Sequence, residues 1–518
     1  MPRNTKRVAA LLPFLLLVVT GCTAGPSDRP AVAYHDDESA AQAPQPPEPA
    51  PVPGLGGPTA DTLHWQDCTP QTTAELGSAP PGMMFSCAQM LSILDAPEAP
   101  ERGTQRNALI RIGDGTHVPL VVVGDINGEP GTTFAARLAA QLPPEVHNTF
   151  DIIGVDRRGT GESDPADCMQ PAERESIVGF DPRATERPQL DRLLDSVVSA
   201  SQECLLTLDE RLQAYDSWRT ASDLEELRLE LGVPKLHLLG RGEASRLLTT
   251  YAERYPQSVG RMVLDGAPDP TRDAIGRAES QARAAENAFD EFAERCVARG
   301  CPLGEDPRRA VGDLVERTRS TPLPANGSVV PAGRVVRALQ LGLRDQSSWP
   351  ALADALAAGV RGDGTRLAEI SAPLLQSQGT AAPWLDGHLI TKCNDTTLRV
   401  PPQRSSQLAA DWVNRFPLFG GLAAQRIVWC GSWPVPQRPL PTPRRGDLPP
   451  IPVITTEHDP QTLALGTDHM AQQLPTGVQL RWQGAGHGAL GRSTCITDAV
   501  ARYLVHGAVP TEGMVCPA

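Results

Sequence analysis

Five residues, Gly240-Arg241-Gly242-Glu243-Ala244, follow the apolar run Lys235-Leu236-His237-Leu238-Leu239 and precede a helix-like run from Ser245 to Tyr255. A strand, a sharp turn with small residues two places either side of its centre, then a helix is the plan that lifts a nucleophilic serine above a sheet in the pattern G-x-S-x-G. Here the centre is Gly242, and G-x-S-x-G occurs nowhere in the chain. The place built to present an attacking oxygen carries no side chain. Removing the nucleophile from such a catalytic set removes roughly six decades of turnover, on the order of 8 kcal/mol. Acyl-enzyme chemistry through position 242 is therefore excluded.

Two neighbouring serines are candidate substitutes. Ser245 sits inside the helix, turned by roughly 300° and raised by about 4.5 Å from the turn, so its hydroxyl is expected to face elsewhere. Ser163, in a loop after an earlier strand, is a second candidate of the same kind. Glycine at the turn has one physical advantage of its own. A nucleophile there adopts a sparsely allowed backbone conformation at about 1 to 3 kcal/mol, which glycine largely avoids.

The elements around the turn alternate. Strands are expected at Asn107 to Ile112, Val118 to Val123, Phe150 to Asp156, Arg261 to Asp265, Ile451 to Thr456 and Val478 to Trp482, with helices at Ala135 to Leu142, Ala221 to Leu231 and Ala464 to Gln473. Apolar strands alternating with helices require a mostly parallel sheet covered on both faces. From Thr271 to about Pro383 the pattern is helical without convincing strands, which predicts a helical cap inserted over the strand ends, where ligand sites lie. The expected division is a core at 61–270, a cap at 271–385 and the rest of the core at 386–518.

The N-terminus predicts export. Arg3, Lys6 and Arg7 precede an apolar run from Ala9 to Thr20, too short for a resident membrane helix and suited to a cleaved signal over 1–21. The run ends Val19-Thr20-Gly21-Cys22, which resembles the bacterial lipobox, so Cys22 is the expected lipidation site and the acyl chains the only membrane contact. Residues 22–60, rich in Pro, Ala, Asp, Glu and Gly, are expected to form a flexible stalk. The formal net charge of −14 argues against nucleic acid and for a hydrated, self-repelling surface, and a monomer is expected.

Ten cysteines remain after Cys22, an even number that suits disulfides in an exported chain. Connectivity does not follow from sequence; near-neighbour pairing gives 68–87, 168–204, 296–301, 393–430 and 495–516. Close C-x-x-C or H-x-x-x-H spacing is absent, so no metal or other cofactor is expected.

Several stretches occur in an order that resembles the actinobacterial secreted tripeptidyl-aminopeptidase-like (TAP-like) α/β-hydrolases, related to prolyl aminopeptidases. They are Trp65-x-x-Cys68 with Cys87-Ala88, Asp156-Arg157-Arg158-Gly159-Thr160-Gly161-x-Ser163, and Asp223-Leu224-Glu225-x-Leu227-Arg228. Tyr255-Pro256 and Gly260-Arg261-Met262-Val263-Leu264-Asp265-Gly266 come next, then Cys393-Asn394-Asp395 and Cys430-x-x-Trp433-Pro434. The series ends with Glu457-His458-Asp459-Pro460, Gly484-Ala485-Gly486-His487-Gly488, Cys495, Ala501-Arg502-Tyr503-Leu504 and Cys516. The resemblance spans nearly all of the chain after the stalk and implies an α/β-hydrolase fold with a TAP-like C-terminal region.

In that family a serine attacks, a histidine takes its proton and a carboxylate orients the imidazole, in the chain order Ser, Asp, His. The resemblance therefore implies Asp459 as the carboxylate and His487 as the base, with Gly242 in the serine's place. It also implies an oxyanion hole made by a backbone N–H of a glycine-rich loop and that of the residue after the nucleophile. Here those are the loop Gly124 to Gly131, with Gly128 and Gly131, and Glu243. Asp125, Glu129 and Glu243 bring carboxylates to a place where a negative oxygen must form, and like charge there opposes the transition state. Arg241 is a candidate to neutralise one of them.

These residues point to a lipid-anchored, exported protein of serine peptidase lineage with little or no peptidase activity and a capped pocket for peptides or other small ligands. An active hydrolase with a relocated nucleophile, or with a water activated by His487 and Asp459, is the enzymatic alternative. A structural envelope lipoprotein that binds another protein is the third reading. On the first, Gly242→Ser is expected to restore weak ester hydrolysis.

Overall fold

The computed structural model describes residues 49–518 apart from 78, 79, 81, 378 and 380. The expected export signal, Cys22 and most of the expected stalk lie outside the described residues.

The apolar runs read from sequence assemble into one sheet. Its strands are β1 (Gln66–Asp67), β2 (Phe85–Ile93), β3 (Thr104–Ile112), β4 (Val118–Val123), β5 (Phe150–Val155), β6 (Leu236–Arg241) and β7 (Val259–Asp265). A hairpin, β8 (Leu323–Ala325) with β9 (Ser328–Val330), stands apart, and β10 (Ile451–His458), β11 (Gly477–Ala485) and β12 (Met514–Cys516) complete the large sheet. The order across it is β1-β2-β3-β5-β4-β6-β7-β10-β11-β12. Pairing is antiparallel from β1 to β5 and parallel from β5 to β12, as a mostly parallel α/β sheet requires.

The central strands are apolar on both faces because helices cover both. Val121, Leu238 and Met262 pack with Leu224, Leu247 and Tyr251 on one side, while Val122, Leu239 and Val263 pack with Phe134, Ile496 and Tyr503 on the other. β2 was not expected. It carries an exposed face, with Leu91 and Ile93 turned to solvent, and so lacks the continuous apolar run that marks its neighbours.

The cap is larger than expected and has two parts. Helices run from Ala274–Ala298 to Gly420–Val428, so the helical block does not end at residue 385 and the sheet resumes only at Ile451. The β8–β9 hairpin also interrupts a stretch expected to lack strands. A second part, Pro171–Gly179, Arg187–Leu208 and Arg211–Ala214, leaves the core between β5 and β6 and buries Ile177, Val197 and Cys204 against Leu389 and Trp429. Residues 50–60, assigned by sequence to the stalk, instead lie along the core: the Ala50 N–H donates to Leu448 O at 3.1 Å and the Thr59 hydroxyl to Gly232 O at 2.6 Å.

All five near-neighbour cysteine pairs are bonded, 68–87, 168–204, 296–301, 393–430 and 495–516. Among the described residues no helix is long and apolar enough to cross a membrane.

Candidate active site

β6 ends at Arg241 and the helix Ala244–Arg254 begins three residues later, leaving Gly242 at the apex of the turn. Its φ is +60°, the left-handed region that favours glycine. The turn is pinned from both sides, since the Gly242 N–H donates to Asp265 O at 2.9 Å and Ser245 N–H to Gly242 O at 3.0 Å. Gly240 admits the close approach of Leu248, which a Cβ there would meet at 2.7 Å. The backbone of a nucleophile-bearing turn is thus intact around a residue with nothing to attack with.

Asp459 and His487 come to this turn from the C-terminal ends of β10 and β11. The Nδ1–H of His487 donates to both Asp459 oxygens at 3.0 Å, and Asp459 is further held by the N–H groups of Gln461 at 2.8 Å, Thr462 at 3.0 Å and Gly488 at 3.1 Å. The loop carrying His487 is fastened by Asp265, which accepts from Ala489 N–H at 2.8 Å and pairs with Arg241 at 3.0 Å. Arg241 therefore neutralises Asp265, not a carboxylate of the oxyanion region. The His487 N–H donates to the Arg344 carbonyl at 2.8 Å, tying the base to the cap.

On its other side His487 meets a second carboxylate. Its Nε2 lies 2.9 Å from Asp125 Oδ2, where a serine hydroxyl would accept or give the catalytic proton. A Cβ built on Gly242 would stand 2.8 Å from Asp125 Cγ, from Asp125 Oδ2 and from His487 Nε2. Asp125 thus fills the space of the missing side chain. Its other oxygen, Oδ1, accepts from Glu243 N–H at 3.1 Å and Ile126 N–H at 2.6 Å. Those N–H groups belong to the residue after the apex and to the loop after β4, the two sources of an oxyanion hole in this fold. The hole exists, and an internal carboxylate sits in it.

Electrostatics follow from that contact. Burial pushes the Asp125 carboxyl up, but the bond to His487, its charge and that of Arg344 together hold it well below the usual carboxylate range. Burial pushes His487 down, yet Asp459 and Asp125 outweigh it and raise the imidazole above its ordinary value. Carboxylate acceptors on both of its nitrogens favour the imidazolium form of His487, which has no lone pair to act as a base. With the Gln461 amide oriented to satisfy both its ends, its nitrogen donates to Asp125 Oδ2 at 2.8 Å and its oxygen accepts from Arg344 Nε at 3.0 Å.

The remaining expected site residues fall elsewhere. The Glu243 side chain pairs with Arg246 at 3.2 Å and leaves only its N–H at the hole. Glu129 is engaged by Arg137 and by Arg344, the latter at 3.4 Å. Gly128 and Gly131 shape the loop without donating to the hole: a Cβ at Gly128 (φ +89°) would strike Trp384 O at 2.1 Å and one at Gly131 would strike Val155 O at 1.9 Å. Ser245 is buried in its helix, and Ser163 spends its hydroxyl on Asp156 O and Ala108 N–H, each at 2.8 Å. Arg344 and Gln461 had no motif to announce them; Asp125 did, as an acid directly after a strand in the oxyanion loop.

A cavity of about 60 Å³ remains between Asp125 and the cap, lined among others by Glu243, Arg337, His388, Arg426 and Trp429. One group of side chains, Asp114 with His117 and Asp151, lies close enough to share a metal, whereas Asp386 lies beside Cys168 and Cys204, whose sulfurs are bonded to each other and are not free to ligate.

Comparison with known proteins agrees with this architecture. Residues 416–516 match the family model described as TAP-like protein. Serine protease Hip1 of Mycobacterium tuberculosis is 29% identical over 426 residues, covering 75% of this chain and 79% of that protein. Tripeptidyl aminopeptidase of Streptomyces coelicolor is 27% identical over 407 residues, covering 75% and 74%. Carboxylesterase B of Mycobacterium tuberculosis is 27% identical over 427 residues. With its ten-stranded sheet, pinned turn and matched C-terminal region, the chain is an α/β-hydrolase-fold protein with a TAP-like region at residues 416–516, homologous to the Streptomyces tripeptidyl aminopeptidases and to Hip1.

Proposed function

We propose that this protein is an exported, lipid-anchored descendant of serine peptidases in which acyl transfer is silent, and that it binds a peptide or other small ligand beneath its cap. The observation that carries the reading is Asp125, which occupies both the nucleophile's space and the oxyanion position. Three requirements of the reaction fail together: an attacking oxygen, a neutral base and an open oxyanion hole. Export is supported by the basic and apolar N-terminus with Cys22 and by five disulfides, which persist in oxidising compartments. Labelling with a serine-directed fluorophosphonate tests the silent site; no saturable, heat-sensitive label is expected, and one would overturn the reading. Palmitate incorporation lost in Cys22→Ala tests the anchor.

The Asp125 to His487 distance also favours a second reading, with Asp125 as a relocated nucleophile. Its Oδ2 would displace a leaving group from a saturated carbon, which departs with the bonding pair, leaving an ester on Asp125. The ester removes one charge from beside His487, whose Nε2 proton departs with the leaving group; the neutral imidazole would then take a proton from a water that adds to the ester carbonyl, give it to the departing alkoxide as the alcohol is freed, and regain a proton from the Asp125 carboxyl. Turnover in heavy-oxygen water would place the label in Asp125; the silent-site reading expects none.

A further inference from the structure

The cavity under the cap is lined by two arginines, Arg337 and Arg426, that form no ion pair among the described residues. Arg337 is buried, donates to the carbonyls of Val178 at 3.1 Å and Ile177 at 3.2 Å, and stacks over Trp429 at 5.1 Å. Arg426 donates to Gln340 Oε1 at 2.7 Å, and its Nε has no hydrogen-bond partner among the described residues. Lys392, which does not line the cavity, has its Nζ 5.7 Å from the Trp429 ring centre, and burial pushes its pKa well down. Neither Arg337 nor Arg426 pairs with a carboxylate among the described residues. Both acids lining the cavity are already engaged, Asp125 by His487 and Glu243 by Arg246.

Arg337 is buried and Arg426 half-buried; cations so withdrawn from water without a carboxylate are costly, and a chain of formal net charge −14 has no shortage of acids to place beside them. Two further polar atoms of the same wall, Trp429 Nε1 and His388 Nε2, are buried without a partner. His388 Nδ1 donates to Ile126 O at 3.1 Å, so its Nε2 presents a lone pair. Burial, with Arg426 and Lys392 nearby, holds that imidazole down to about 3, hence neutral. The wall therefore offers an N–H from Arg426, an N–H from Trp429 and cationic charge, next to one acceptor.

Resting on the ligand-binding reading above, we infer that the cavity takes a small carboxylate with an adjacent N–H, such as an acylated amino acid, its carboxylate on the Arg337, Arg426 and Trp429 wall and its N–H on His388 Nε2. The volume of about 60 Å³ is too small for a long peptide and leaves room for little more than the carboxylate and N–H end of such a ligand. Charge-assisted bonds to a carboxylate are the stronger kind and would relieve the unpaired cations.

Calorimetric titration and thermal shift of the whole mature protein with N-acetylglycine, against its uncharged counterpart N-acetylglycinamide, test the assignment. The acid is expected to bind and raise the melting temperature, and the amide to bind at least about tenfold more weakly. Arg426→Gln should weaken the acid by about tenfold or more, and Trp429→Phe, which keeps an aromatic ring but loses the N–H with the rest of the five-membered ring, by a few-fold. Equal binding of acid and amide, insensitivity to both substitutions, or no binding of the acid overturns the carboxylate assignment. Release of glycine in the same samples, followed by mass spectrometry, would overturn the silent-site reading alone and leave the binding assignment standing.

Discussion

Asp125 Oδ2 stands 2.9 Å from His487 Nε2, in the space that a side chain at position 242 would need. On the silent-site reading this one contact accounts for three losses together, since the carboxylate blocks the nucleophile's place, fills the oxyanion hole and favours a protonated base. The first consequence concerns the charge of His487. Nitrogen-15 spectra of the histidine ring should show both nitrogens protonated at neutral pH, and Asp125→Asn should lower the midpoint of that titration. A neutral ring in the wild-type protein at neutral pH would contradict the geometry.

Stability should depend on pH through Asp125 and His487. Asp125 is held below its ordinary value in the fold, so its contribution is present above the unfolded value of about 3.9 and lost as pH falls. His487 is raised, so its contribution is complete below about 6.5 and lost as pH climbs through the folded value. The contribution of the pair is therefore greatest between about pH 4 and 6.5. Melting temperatures of the wild type and His487→Gln across pH 3 to 10 check this. The difference between them should narrow toward both ends, and a constant difference would argue against linkage through His487.

Removing the central charge outright should be severe. His487→Ala leaves Asp125 and Asp459 facing each other in a dry site and is expected to lower stability by about 3 to 5 kcal/mol, read from urea unfolding. His487→Ala with Asp125→Ala should recover part of that loss.

The arginine-rich stretch after β5 is structural rather than catalytic. Arg158 is buried, binds Asp223 through Nε at 2.6 Å and Nη2 at 2.7 Å, and donates to Leu94 O at 2.6 Å and Ile93 O at 2.8 Å. Arg158→Met strands Asp223 and should lower unfolding stability by about 3 to 5 kcal/mol, without changing binding of N-acetylglycine per folded molecule. A specific loss of ligand affinity in folded Arg158→Met would place this residue in the binding site instead.

What could be read from sequence was local. The turn at Gly242 is announced by a strand, small residues and a helix within twenty positions, and Asp459 and His487 by the family order in which their short motifs occur. The bond that decides the chemistry joins residues 362 apart, and no periodicity links them. Asp125 was recognisable as an unwelcome charge in the oxyanion loop, but only the sheet shows that it reaches past the hole to His487. Arg344 enters from the cap, whose placement over the strand ends depends on packing. The helices of residues 171–214 carry a legible period, with Leu190, Leu193, Val197, Ala200 and Cys204 buried along one face, yet nothing local assigns them to the cap.

The structure also revises what one substitution can do. Serine at position 242 would place its Cβ 2.8 Å from Asp125 and from His487 at a φ of +60°, so Gly242→Ser alone is not expected to restore hydrolysis. Asp125 must leave as well.

The most direct measurement is therefore the rate of p-nitrophenyl ester hydrolysis in the wild type, Gly242→Ser, Asp125→Gly and the double variant, with Asp459 and His487 untouched. The wild type and both single variants should stay at the background rate, and the double variant should rise by roughly a hundredfold or more as the hole opens, the base is freed and a nucleophile appears. Wild-type turnover abolished by Asp125→Gly, or full activity in Gly242→Ser alone, would contradict the claim that Asp125 occupies and silences the site.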